Sequence, residues 1–470
     1  MLFYEPLFLT LFPAVYAFYL LASRASAKKC TLLVVSTLFY LWGEPVFVLV
    51  LLVSTAFDYA LSFHLSDPTP PRTRRLALAA GIAGNLGILI VYKYADFLAE
   101  NFNLLLAPFA ASRIPLLHLA LPIGVSFVVF EKITYLVDTY RGISRPAASF
   151  SDYCLFVLFF PKLLAGPILK YHEMKDQIAS PPTVRWSDFE TGFLRFARGL
   201  GRKLLIADPL GAFANQIFSA DPAGLGAGQA WLGLSCFTLQ IYFDFSGYSD
   251  MAIGLARMMG FRLRENFNSP YVAQSMTEFW RRWHISLTSW IRDYLYIPLG
   301  GDRRGDARTY LNLWICFLAS GLWHGASWNF VLWGAWNGLF LTLDRLFLRD
   351  ALARCGRIVA TSVTLFIVMI GWAIFRSDSP AHLGQFLIAL LGMSQAATAL
   401  EIPAEVPFTL ILGAFISLLP ATRLYDPLLR GWQTQGWLRA AAIAALVAVY
   451  VLAIARAVTA PFQPFIYFRF

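Results

Sequence analysis

The residue best suited to chemistry is His324, in the stretch "ASGLWHGASWNF" at 319–330. It lies inside an apolar run from Tyr310 to Leu343, where burying an imidazole is costly. A neutral imidazole there can take a proton from a hydroxyl near neutral pH. Gly321 and Gly325 permit close approach of another group, and Ser320, Ser327 and Asn329 give the surroundings a polar character that argues for a cavity. The alternative is a buried histidine hydrogen-bonded to a neighbouring helix. His284, in "WRRWH" at 280–284, is the second candidate, with an interfacial histidine as its alternative. If His284 lies on the cytoplasmic side and His324 on the other, the two mark opposite ends of a passage.

A third group is "LQIYFDFSGYSDMAIGLARMMG" at 239–260, where Gln240, Asp244, Gly247 and Tyr248 share a helical face. A carboxylate at membrane depth normally faces the interior with a partner. Asp244 is therefore read as a buried carboxylate whose hydrogen bond to arginine or tryptophan holds helices together, with direct catalysis as the alternative and Asp250 on another face behind it. Glu131, Lys132, Lys162 and Lys170 interrupt further apolar segments. Glu131–Lys162 is a candidate interhelical pair, with snorkelling lysine as the alternative. Pro161, Gly166 and Pro167 imply a broken or re-entrant element. His64, His118, His172 and His382 lie in or near loops and receive no role. The five cysteines lack metal-ligand spacing, so neither a zinc site nor a disulfide framework is expected. "GLGAG" at 224–228 precedes an apolar span and is discounted as a nucleotide loop, and no nucleophile elbow is present.

The elements that must position these residues are membrane helices. Only 14% of the 470 residues are charged, where a soluble domain carries about a quarter. Apolar stretches near spanning length occur at 2–21, 31–53, 76–98, 115–137, 229–256, 358–375, 405–420 and 437–457. They are continuous, without the alternation of a barrel strand. The first stretch lacks a basic leader and a cleavage site and reads as a retained span. The net charge of +10 fits basic cytoplasmic loops better than nucleic-acid binding. Lys28 and Lys29, then a turn "GEP" at 43–45 without basic residues, then Arg72, Arg74 and Arg75, predict a cytoplasmic side for both basic loops and an outward N-terminus. The basic stretch 257–309 falls on the same side. Within it, 276–296 reads as one amphipathic helix at the headgroup boundary, with Trp280, Trp283 and Trp290 on its apolar stripe. From Tyr310, a rise of ~1.5 Å per residue puts His324 ~21 Å along its helix, past the middle of a ~30 Å hydrocarbon core. Asp344, Arg345 and Arg349 then return to the cytoplasm.

Four stretches carry a resemblance: "EFWRRWHISLTSWIRDYLYIPLGG" (278–301), "SGLWHGASWNFVLWGAWNG" (320–338), "QIYFDFSGYSDMAIGLARMMGF" (240–261) and "FFPKLLAGPI" (159–168). The chain resembles the membrane-bound O-acyltransferases (MBOAT), in their bacterial alginate O-acetyltransferase branch, over nearly its whole length. The resemblance implies an all-α, polytopic membrane protein. Its helices would form a ring, with broken and interfacial helices around a central passage. It would be one domain over 1–470: N-terminal spans to 256, the amphipathic segment 257–309, a broken catalytic helix pair at 310–349, and C-terminal spans from 350. It implies catalytic roles for His324 and His284, with Asp244, Asn329, Trp323, Arg281 and Arg282 binding or supporting. The expected donor is a cytoplasmic thioester such as acetyl-CoA, with no bound cofactor or metal. The expected acceptor is an exopolysaccharide such as alginate, reached from the bacterial inner membrane through a periplasmic partner of the SGNH-hydrolase type. The rivals are D-alanyl or other acyl transfer to a cell-wall polymer, a transporter or flippase, and a non-catalytic scaffold.

Overall fold

The structure, a computed structural model, describes residues 2–109, 113–394, 401–427 and 435–469, with no strand among them. The helices divide into two compact units. One comprises Met1–Phe193 with Ala252–Arg264, the other Leu194–Met251 with Glu265–Phe470. Among the described residues three helices are long and apolar enough to cross a membrane by length and composition, Pro71–Phe109, Arg357–Arg376 and Gly436–Thr459. Several shorter apolar helices accompany them, including Pro6–Leu21 and Phe47–Ser62.

In the first unit the apolar window 31–53 contains a turn. Ala25–Gly43 ends there and Phe47–Ser62 begins. The window 115–137 is likewise not one span, since helix starts only at Val125, behind Gly124 in the left-handed region at φ 78°. Helix Val125–Tyr140 is buried along nearly its whole length. Adjacent residues there reach opposite ways: Glu131 pairs with Lys162, and Lys132 pairs with Asp58 at 3.2 Å. Asn85 and Tyr153 also donate to Asp58. Both lysines are therefore buried partners rather than snorkelling ones. The 150–170 region breaks as its prolines and glycine suggest, into Phe150–Leu158, the short Phe160–Leu163 and an irregular stretch to Tyr171.

In the second unit Asp306–His324 and Trp328–Leu343 form a helical hairpin. Glycine decides how close the two come. A Cβ on Gly334 would lie 2.5 Å from the Phe317 carbonyl oxygen, and one on Gly321 would overlap the Phe330 carbonyl oxygen. Asn329 Nδ2 donates to the Ser377 carbonyl, which ties the hairpin to the end of Arg357–Arg376.

The 276–296 segment departs from its sequence pattern. The periodicity predicts one helix, but the chain forms Met276–Arg282 and Ile285–Ile291, separated by Trp283 and His284. His284 has φ 43° and ψ 54°, a left-handed conformation rare outside glycine. Tertiary hydrogen bonds hold the break. Asn268 N–H donates to the Arg282 carbonyl, and Ile285 N–H to the Asn266 carbonyl, each at 2.9 Å.

Candidate functional site

The hairpin places His324 at the last position of its helix, before Gly325 and the turn into Trp328. The imidazole is buried among rings. Trp323 and Trp333 lie at 4.9 Å, Phe375 at 5.4 Å and Tyr467 at 5.5 Å between centroids. His284 reaches the same neighbourhood from the broken 276–291 segment. Its ring lies 4.6 Å from Phe245, 6.0 Å from Trp323 and 6.4 Å from Tyr467. Trp323 and Tyr467 thus neighbour both imidazoles. The structure places both histidines beside one pair of aromatic rings.

Tyr467 comes from the C-terminal tail, and Asp244 anchors that tail. Asp244 accepts the Ile466 amide at 2.8 Å and pairs with Lys203 at 2.9 Å. Lys203 also pairs with Asp208 at 2.7 Å. The partner expected for Asp244 was arginine or tryptophan; a lysine and a backbone amide take that place. The tail's rings continue the contact, with Phe465 4.9 Å from Tyr248 and Tyr467 4.4 Å from Phe245. Asp250, on the other face, is ringed by Arg195, Arg198 and Arg202 at 2.8 to 3.0 Å.

The remaining candidates separate in space. Trp323 is between the histidines, while Asn329 is buried behind the hairpin turn on Ser377. Arg282 is occupied by Glu278 at 2.8 Å and by the Asn268 carbonyl at 3.1 Å. Arg281 instead lines a cavity of about 470 Å³. Trp280, Ile285, Leu313 and Phe317 give this cavity apolar walls, Ser289 and Ser320 contribute hydroxyls, and Arg292 adds a second guanidinium. Ser320 lies one helical turn before His324, so the cavity runs beside the histidine-bearing helix.

Two residues of this site were missed from the sequence. The tail sequence "PFQPFIYFRF" marks Tyr467 only as one of several aromatic residues. Asn266, buried against His284 at 3.2 Å, had no local signal at all. Among the described residues no cluster of metal-ligating side chains occurs.

The membrane-bound O-acyltransferase family model matches residues 135–353, which include both histidines. The chain is 37% identical over 493 residues to the probable alginate O-acetylase AlgI of Pseudomonas putida, covering all of both proteins. It is 42% identical over 380 residues to the protein of the same name in Pseudomonas aeruginosa, with 81% of this chain and 72% of that one covered. Similarity extends to the peptidoglycan O-acetyltransferase of Helicobacter pylori, at 34% over 429 residues, 84% of this chain and 80% of that one. The chain belongs to the membrane-bound O-acyltransferase family: it is a polytopic helical membrane protein and an acyltransferase.

Proposed function

We propose that this enzyme moves an acetyl group from a thioester donor, acetyl-CoA or a related pantetheine thioester, toward hydroxyls of an extracellular polysaccharide such as alginate. The observation that carries the reading is the convergence of His284 and His324 on Trp323 and Tyr467. The names of the relatives support acetyl as the group and a polysaccharide as the acceptor. The proposed setting is the bacterial inner membrane. There a periplasmic SGNH-hydrolase-type partner receives the acetyl group and passes it to the polymer.

In the proposed step His324 accepts the proton of an acceptor hydroxyl as its oxygen attacks the thioester carbonyl. The tetrahedral adduct collapses with cleavage of the carbon–sulfur bond. The proton held by His324 then goes to the departing thiolate, leaving an ester and a free thiol. General base catalysis of this kind is worth ~10²–10⁴-fold. The cavity beside Ser320 suits the donor's arm, with apolar walls for the pantetheine chain and Arg281 and Arg292 for phosphate. In this reading His284 is the second catalytic histidine and orients the donor.

The test is polymer acetylation, read by mass spectrometry, in a deletion strain carrying His324→Ala or His284→Ala at normal membrane levels. Each variant is expected to lose at least ~10²-fold. Full acetylation by His324→Ala overturns its role as base. Acetyl transfer that persists onto a cell-wall polymer but not onto the exopolysaccharide redirects the acceptor to peptidoglycan or teichoic acid.

A further inference from the structure

Asn266 is fully buried and makes one side-chain oxygen serve three groups of the broken segment. Its Oδ1 accepts from the Ser286 amide at 3.1 Å and the Ser286 hydroxyl at 2.8 Å, and lies 3.2 Å from His284 Nδ1. Its main-chain carbonyl accepts the Ile285 amide at 2.9 Å. An amide N–H only donates, so the Asn266 atom facing Ser286 N must be oxygen rather than nitrogen. That oxygen also faces Nδ1. Two lone pairs do not settle 3.2 Å apart, so Nδ1 carries a hydrogen. Charging an imidazole so deeply buried among Phe245, Trp323 and Tyr467 is disfavoured, so the ring is neutral and holds a single proton.

We infer that Asn266 is a positioning residue that fixes His284 as the Nδ1–H tautomer, so that the ring presents the lone pair of Nε2 to the reaction site. The consequence for catalysis rests on the acyl-transfer reading above. In this tautomer His284 accepts: it receives a proton or hydrogen bond from the substrates. Polarising the thioester carbonyl requires a donor, and the neutral ring has none on Nε2. The left-handed backbone at His284 belongs to the same device. The bonds from Ile285 and Ser286 to Asn266 hold the turn that aims the ring.

The protein has six histidines, so selective ¹⁵N-histidine labelling of the full chain in lipid nanodiscs is tractable. The His284 signals are assigned as those lost in His284→Ala. The expected spectrum has a protonated Nδ1 and an unprotonated Nε2; a protonated Nε2 overturns the inference. Asn266→Asp keeps an oxygen acceptor and is expected to keep both the tautomer and acetylation within about tenfold of the parent. Asn266→Leu removes the acceptor and is expected to lose at least ~10²-fold; a wrong tautomer costs ~10⁴-fold in the serine protease triad. An Asn266→Asp protein that retains the tautomer but is as inactive as Asn266→Leu refutes the catalytic consequence. The wild-type spectrum and Asn266→Asp decide the matter even where Asn266→Leu fails to insert. Full acetylation by His284→Ala, with the Nδ1–H tautomer observed in the parent, removes the acyl-transfer role of His284 and leaves the tautomer assignment standing.

Discussion

The hairpin that carries His324 depends on glycine spacing, and Gly334→Ala tests how much precision it supplies. The added methyl would sit 2.5 Å from the Phe317 carbonyl oxygen and 3.1 Å from Leu318 Cα. Both obstacles are backbone, so no side chain can rotate away. Reaching ordinary contact, at ~3.5 Å, requires the helices to part by ~1 Å. The hairpin's turn follows His324 directly, so much of that movement reaches the imidazole. Misplacing a reacting group by ~1 Å costs up to ~10²-fold. Gly334→Ala is therefore expected to reduce polymer acetylation by ~10- to 10²-fold, with ~1–3 kcal/mol of overpacking. Gly338, one turn further on, is the matched control. Its Cβ would meet Trp314 at 3.5 Å, an ordinary contact, so Gly338→Ala should stay within about twofold. The assay is acetyl content of purified polymer at equal membrane levels of each variant. Wild-type acetylation by Gly334→Ala would refute the claim that hairpin closeness positions His324.

Asp244→Ala removes the acceptor of the Ile466 amide and one partner of Lys203. It should lower stability by about 3 kcal/mol, read as a fall in Tm in detergent, and should make the tail susceptible to carboxypeptidase. Glu131→Gln leaves Lys162 buried beside a neutral group and should cost ~3–5 kcal/mol. Adding Lys162→Met should recover most of that loss, and a double mutant no more stable than Glu131→Gln would count against the pair. Leu313→Trp should fill part of the cavity beside Ser320 and raise the donor KM by ~10-fold or more while altering kcat less; an unchanged KM would remove the cavity from the donor's path.

What the sequence disclosed follows from the range of the signals it carries. Membrane helices were legible because hydropathy is summed over ~20 residues. The helix break after His324 was legible because Gly321, Gly325, Ser327 and Asn329 sit within nine positions. The Glu131–Lys162 pair was legible because burying either charge alone is so costly that few arrangements remain. The window 115–137 misled because apolarity alone does not distinguish a span from a non-helical approach to a helix. Asn266, Asp244 and Tyr467 work through contacts 18 to 222 residues apart in the chain, which no local pattern encodes.

The 276–296 segment shows most clearly why the remainder was hidden. Its apolar stripe has a helical period throughout, and that period runs on through Trp283 and His284. The chain instead accepts a left-handed histidine, which costs ~1–2 kcal/mol. Three bonds to Asn266, from the Ile285 amide, the Ser286 amide and the Ser286 hydroxyl, compensate at ~0.5–1.5 kcal/mol each. The break therefore needs no unusual stability elsewhere, yet it removes His284 from the stripe it would share with Trp280 and Trp283. Along a continuous helix, His284 would stand one turn from Trp280 on the same face. Once broken, the segment sets His284 edge-on to Phe245 and within reach of Trp323 and Tyr467, where His324 already lies. The local pattern is overridden at a residue whose direction the site requires. Such conflict between pattern and fold is expected where geometry serves chemistry rather than stability.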